Sequence, residues 1–67
     1  MAITLKAARV NLNYTQKKAA EKLGISVDTL SNYERGIHFP NVPMIMKMQD
    51  LYNVTYNEII FLPENYG

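Results

Sequence analysis

QKKAAEKLGISVDTLSNYER, residues 16 to 35, decides the reading of this chain. Thr15 is a good N-cap for a helix over QKKAAEKL, in which Ala19, Ala20 and Leu23 form an apolar stripe and Gly24 supplies the C′ position. Lys18 stands where a capping box would place Glu, so that refinement is missing. Ser26 caps a second helix over VDTLSNYER, with Leu30 and Tyr33 on one face and Gly36 at its end. Two short helices that cross steeply on a tight turn need a small residue where the backbones approach, a glycine at the turn, and apolar side chains facing inward. Ala20 and Gly24 meet the first two needs, and Ala19, Leu23, Ile25, Leu30 and Tyr33 meet the third. An ordinary helical hairpin shares the apolar spacing but does not require Ala20 and Gly24 together.

Outward from this core, the start and stop signals predict three more helices, and no strand pattern competes with them. Thr4 can cap a first helix to about Asn11, with Leu5, Ala8 and Leu12 at helical spacing, and Asn13 suits a left-handed turn. After a loop over Ile37 to Pro40, Asn41 can cap a fourth helix that tolerates Pro43 in its first turn. Ile45, Met48 and Tyr52, with Met44 and Leu51 alongside, form its buried stripe, and Asn53 terminates it. Thr55 caps a last helix over YNEII, anchored by Ile59 and Ile60, and Phe61, Leu62 and Pro63 break out of it and need cover. The expectation is an all-α, five-helix domain over residues 1 to 67.

With 67 residues the chain holds one core and leaves little room for a deep catalytic cleft. Hydrophobic residues make up 48% and charged residues 19%, as in ordinary globular proteins, which argues against disorder and against a fibrous architecture. The absence of cysteine removes disulfides, thiolate metal sites and thiol nucleophiles. MAITLKAARV lacks the apolar run of a signal peptide, and no stretch of eighteen apolar residues occurs, so a soluble, cytoplasmic protein is expected. The net charge of +1 conceals an asymmetry. Residues 1 to 36 carry Lys6, Arg9, Lys17, Lys18, Lys22 and Arg35 against Glu21, Asp28 and Glu34, a net +3, while the remainder carries Lys47 against Asp50, Glu58 and Glu64, a net −2. Such a division suits a face for a polyanion, although small excesses of lysine also simply solvate a surface.

In the order YTQKKAAEKLGIS, VDTLSNYERG and VTYNEII, the sequence resembles the lambda-repressor-like, Cro-type (XRE-type) helix-turn-helix family over about residues 4 to 62. Tyr14-Thr15-Gln16 matches the family's opening of the second helix, and Ser26 to Thr29 with Tyr33-Glu34-Arg35-Gly36 match the recognition helix and its end. The resemblance implies five packed helices, frequent use as a dimer, and a third helix that enters the DNA major groove. It further implies that Gln16 hydrogen-bonds a phosphate and that Arg9 pairs with Glu34 to fix the recognition helix on its scaffold. One departure is the loop Ile37-His38-Phe39, where several phage repressors carry lysine and arginine.

On this reading Thr15 and Gln16 lie at a helix N-terminus, where free N–H groups and the macrodipole favour an anion. Lys17, Thr29, Ser31 and Arg35 are further phosphate candidates, whereas Lys18 and Lys22 fit a solvated face better. Base readout falls to Ser26, Val27, Asp28 and Asn32 in the first turns of the third helix. Val27 can touch a thymine methyl, Asn32 can pair with adenine, and Asp28 can accept from cytosine N4 or act only as a favourable charge at the helix N-terminus. His38, the only histidine, reads as a solvent-exposed loop residue, since one ligand makes no metal site. Met44, Met46 and Met48 read as core filler, with a Met-lined partner surface as the sharper alternative.

No nucleophile, base and orienting group converge, and no phosphate-binding glycine loop or metal cluster is present in the sequence, so neither an enzyme nor a cofactor is expected. The expected function is a sequence-specific DNA-binding regulator, a repressor of the phage or prophage Cro type. Its expected partners are a near-palindromic duplex operator and a second copy of the chain, joined through the last helix and the tail Phe61 to Tyr66, with no membrane and no small-molecule substrate. The alternative is a protein-interaction module, such as an antitoxin subunit, on the same fold.

Overall fold

A computed structural model describes residues 2–60. Its elements run in the order β1 (Ile3–Thr4), α1 (Leu5–Asn11), α2 (Gln16–Leu23), α3 (Val27–Arg35), α4 (Val42–Tyr52), a 3-10 turn (Tyr56–Glu58) and β2 (Ile59–Ile60). Each of the four helices begins with a side-chain cap that satisfies an otherwise orphaned N–H. Thr4, Thr15 and Ser26 accept at 3.1 Å from Ala7, Lys18 and Thr29, and the Asn41 side chain accepts from Met44 at 3.0 Å. Their ends are equally local: Gly24 at φ 74°, Gly36 at φ 78° and Asn53 at φ 56° close α2, α3 and α4 in the left-handed region. Asn13 at φ 62° turns the chain between α1 and α2. The four helices therefore lie where their terminal residues place them.

The fold is all-α as expected, but with four helices and not five: a 3-10 turn and a two-residue strand stand where the fifth was expected. Thr55 does start a turn, with the Glu58 carboxylate accepting from its N–H at 2.9 Å and from its hydroxyl at 3.1 Å. Those two bonds, the backbone one foremost, hold the Glu58 carboxyl below its ordinary pKa. The turn does not propagate, because five residues are too few to repay helix nucleation and two β-branched isoleucines favour extended backbone. Ile59 instead lies at φ −85°, ψ 130°, and β2 pairs in parallel with β1 in the register Ile3 with Ile59 and Thr4 with Ile60. This two-residue ladder joins the first described element to the last.

Leu5, Ala8, Ala19, Ala20, Leu23, Leu30, Met48, Tyr52 and Ile59 form the core, with Ile3, Tyr14, Ile25, Tyr33, Met44, Leu51 and Val54 packed against it. Ala19 and Ala20 have almost no exposed surface, as a close crossing of α2 requires. Two expectations about the core fail. Leu12 is exposed because α1 ends at Asn11, so the residue no longer follows the helical face. Met46 is exposed because it lies on the opposite side of α4 from Met48, so of the three methionines only Met48 is fully buried and Met44 is half-buried. Among the described residues, no helix is long and apolar enough to cross a membrane.

Tyr52 carries a buried hydroxyl with no hydrogen-bond partner among the described residues. Burial first, and the Glu34 charge second, push its pKa up to about 12, with Arg9 opposing. The folded state thus holds this proton more tightly than the unfolded chain does, and the associated stability is present below pH 10 and lost as pH rises from about 10 to about 12. At about 1.4 kcal/mol per pKa unit, the loss by pH 12 is on the order of 2 kcal/mol. Tyr52→Phe should change stability by less than about 1 kcal/mol at pH 7, since the hydroxyl it removes makes no bond. The same variant should lose less stability than the parent between pH 10 and 12, and parallel urea-denaturation curves would show that this phenol is not the titrating group.

Candidate nucleic-acid interface

The third helix has a sharply divided surface. Leu30 faces the core with no exposed surface, and Glu34 lies four residues on along the same inward side. Ser26, Val27, Asp28 and Arg35 are exposed, while Thr29, Ser31 and Asn32 are half-buried. Among the described residues the Asn32 amide, the Asp28 carboxylate and the Arg35 guanidinium have no hydrogen-bond or ion-pair partner. Asp28 sits in the first turn of α3 and Arg35 in the last, each where the macrodipole favours its charge. This arrangement puts candidate base-reading groups at the start of the helix and a cation at its far end.

Ser26 and Thr29 act as a unit. The Ser26 Oγ accepts from the Thr29 N–H at 3.1 Å and lies 2.8 Å from the Thr29 hydroxyl. One hydroxyl hydrogen is consumed within the pair, so the two side chains retain a single hydroxyl donor for any external acceptor. The separate assignments of Ser26 to bases and Thr29 to phosphate therefore share one proton.

Beside α3, the N-terminus of α2 presents Thr15 and Lys17 at the surface and Gln16 half-buried. The Thr15 hydroxyl accepts from the Lys18 N–H and keeps its own hydrogen, so it and the backbone N–H groups of Gln16 and Lys17 are the outer donors of this terminus. Lys18 lies 3.7 Å from Glu21 in an exposed pair, and the Lys22 Nζ stands 5.9 Å from the centre of the Tyr14 ring, so both have neighbours within the chain. His38 is exposed in the loop after α3.

Behind the surface, Arg9 and Glu34 form a two-point pair. The Arg9 Nε donates to Glu34 Oε2 at 2.7 Å and Nη2 donates to Oε1 at 3.2 Å, with both side chains buried. Nη1 donates to the Tyr14 carbonyl at 2.8 Å, which ties the α1–α2 connection to the same cation. The Gln16 side chain completes the cluster, its Nε2 donating to Glu34 Oε1 at 3.1 Å. This last bond joins residues 18 positions apart, and no local pattern in the sequence announces it. The structure thus links the expected phosphate donor to the expected structural pair.

Two short helices on a glycine turn, the first carrying a buried alanine pair and the second locked from behind, define a helix-turn-helix. A family model described as helix-turn-helix matches residues 5–59, and the chain belongs to that family. Among curated proteins it is similar to the HTH-type transcriptional regulator ImmR of Bacillus subtilis (strain 168), 46% identical over 56 residues that cover 84% of this chain and 44% of that protein. It is also similar to the uncharacterized HTH-type transcriptional regulator YazB of the same organism, 36% identical over 55 residues that cover 82% of this chain and 80% of that protein. The chain therefore spans less than half the length of ImmR and most of YazB.

Proposed function

We propose that this chain is a sequence-specific DNA-binding transcriptional regulator, a repressor of the Cro type that sets α3 in the major groove of a near-palindromic operator. One observation carries the reading: the outer face of α3 presents Val27 and Asp28 exposed and Asn32 half-buried, the two polar side chains without hydrogen-bond or ion-pair partners among the described residues, while its inner face is fixed by Leu30 and Glu34. A helix held rigidly from behind and left unsatisfied in front is suited to reading base edges. The relatives, both named as HTH-type transcriptional regulators, support the same reading. Phosphate contacts fall to Gln16 and the α2 N-terminus, with Thr15, Lys17, Thr29, Ser31 and Arg35 around them. The chain works as a single domain and needs no cofactor or catalytic group for this task, and the cytoplasm is its proposed compartment.

Dimeric binding places two recognition helices about one DNA turn, roughly 34 Å, apart. Of the surface assigned to it from the sequence, the last helix is replaced by the 3-10 turn and β2, and Phe61 to Tyr66 lie outside the described residues. A protein-interaction module is the second reading, favoured by Val42 and Met46, which are 68% and 59% exposed on one side of α4.

Asn32→Ala should reduce discrimination between operator and mismatched sites by about 1–3 kcal/mol, whereas Gln16→Ala should weaken all sites alike. Competition binding of both variants against a panel of duplexes checks this division. A uniform loss from both would refute it, and no loss from either would favour the protein-interaction reading.

A further inference from the structure

We propose that Glu34 is a positioning residue for phosphate binding, acting through the side-chain amide of Gln16. The proposal rests on the reading of Gln16 as a phosphate contact and adds what prepares that contact. A carboxylate can only accept, so the Gln16 nitrogen, and not its oxygen, must face Glu34 Oε1 across the 3.1 Å bond. The flip state of the amide is thereby fixed. Its nitrogen carries two hydrogens, of which Glu34 takes one and leaves the other as a donor. A phosphate oxygen also only accepts, so the remaining hydrogen is the side-chain group that can bind it. The reversed amide would set its oxygen against the carboxylate.

Two further features suit this role. Holding Gln16 in one rotamer before DNA arrives removes freedom that an unrestrained glutamine would lose on binding. A bare carboxylate beside the DNA backbone would repel phosphate, but Arg9 neutralises Glu34 from behind through bonds of 2.7 and 3.2 Å. Glu34 is the penultimate residue of α3 and Gln16 the first of α2. One carboxylate thus places the backbone anchor relative to the recognition helix.

The test compares the parent, Gln16→Ala, Glu34→Gln and the double variant for affinity to a duplex of random sequence. Gln16→Ala should weaken binding by roughly three- to tenfold. Glu34→Gln, which lets the Gln16 amide turn over, should cause a similar loss in the parent and no further loss when Gln16 is already alanine. An equal fold-loss in both backgrounds, or none in the parent, overturns the proposal. If Gln16→Ala itself binds normally, the phosphate reading fails first, and Glu34 has nothing to position. Nuclear magnetic resonance of the Gln16 side-chain amide in the unaltered protein decides the matter should Glu34→Gln not fold. One amide hydrogen should be held apart from its ordinary shift in the free protein, and the other should move when the same duplex is added. Two ordinary, averaged hydrogens in the free protein would overturn the assignment.

Discussion

Arg9→Met is expected to destabilise the protein by about 3–5 kcal/mol, because it leaves the Glu34 carboxylate buried without its counter-charge. The loss is large relative to the whole. At roughly 0.05–0.15 kcal/mol per residue, a domain of this size has about 3–10 kcal/mol in total, so much of the variant should be unfolded at 25 °C. Arg9 has three attachments to lose: two to Glu34 and one to the Tyr14 carbonyl, which together join α1, α3 and the α1–α2 connection. Replacing both partners, as in Arg9→Met with Glu34→Leu, should restore part of the stability, since the uncompensated charge is then gone. Urea denaturation of the two variants measures the difference. A loss below about 1 kcal/mol for Arg9→Met would put the pair in the class of solvent-exposed ion pairs and contradict its role as the clamp behind α3.

Leu30→Ala is expected to cost about 2–5 kcal/mol through lost burial and the cavity left behind. Leu30 is the fully buried side chain by which α3 enters the core, next to Leu23 and Met48 in the same cluster. A domain of this size shifts by roughly 4–8 °C per kcal/mol, so the melting temperature should fall by about 10 °C or more. Val27→Ala, on the exposed side of the same helix, should alter stability by no more than about 0.5 kcal/mol. Thermal unfolding of the pair therefore separates the face that holds α3 from the face it offers. Similar melting temperatures for the two variants would mean that the helix is not anchored through Leu30.

The parts of this structure that were legible in the sequence are those fixed by a single local event. A cap at Thr4, Thr15, Ser26 or Asn41 needs one hydrogen bond, and a left-handed terminator at Gly24, Gly36 or Asn53 needs one dihedral, so those helix ends follow from a few neighbouring residues. The last element needed more. Thr55 carries the signal of a helix start, and Glu58 answers it, yet whether the backbone continues as helix depends on pairing with Ile3 and Thr4 at the other end of the described chain. Local signals contain nothing about that partner. At the site, the sequence nominated both Gln16 and the Arg9–Glu34 pair, the latter through family resemblance, but not the bond between them. The shared proton of Ser26 and Thr29 was likewise hidden in the rotamers that capping imposes.

On the proposed function, α3 reads bases while the adjoining α2 terminus grips the backbone. Selecting bound sites from random DNA and then titrating the selected and a random duplex at several salt concentrations tests it most directly. The selected site should bind at least about a thousandfold more tightly than random duplex. The logarithm of its affinity should fall linearly with the logarithm of salt concentration, by about 0.9 per phosphate engaged. Equal affinity for both duplexes, unchanged by salt, would contradict the proposed function.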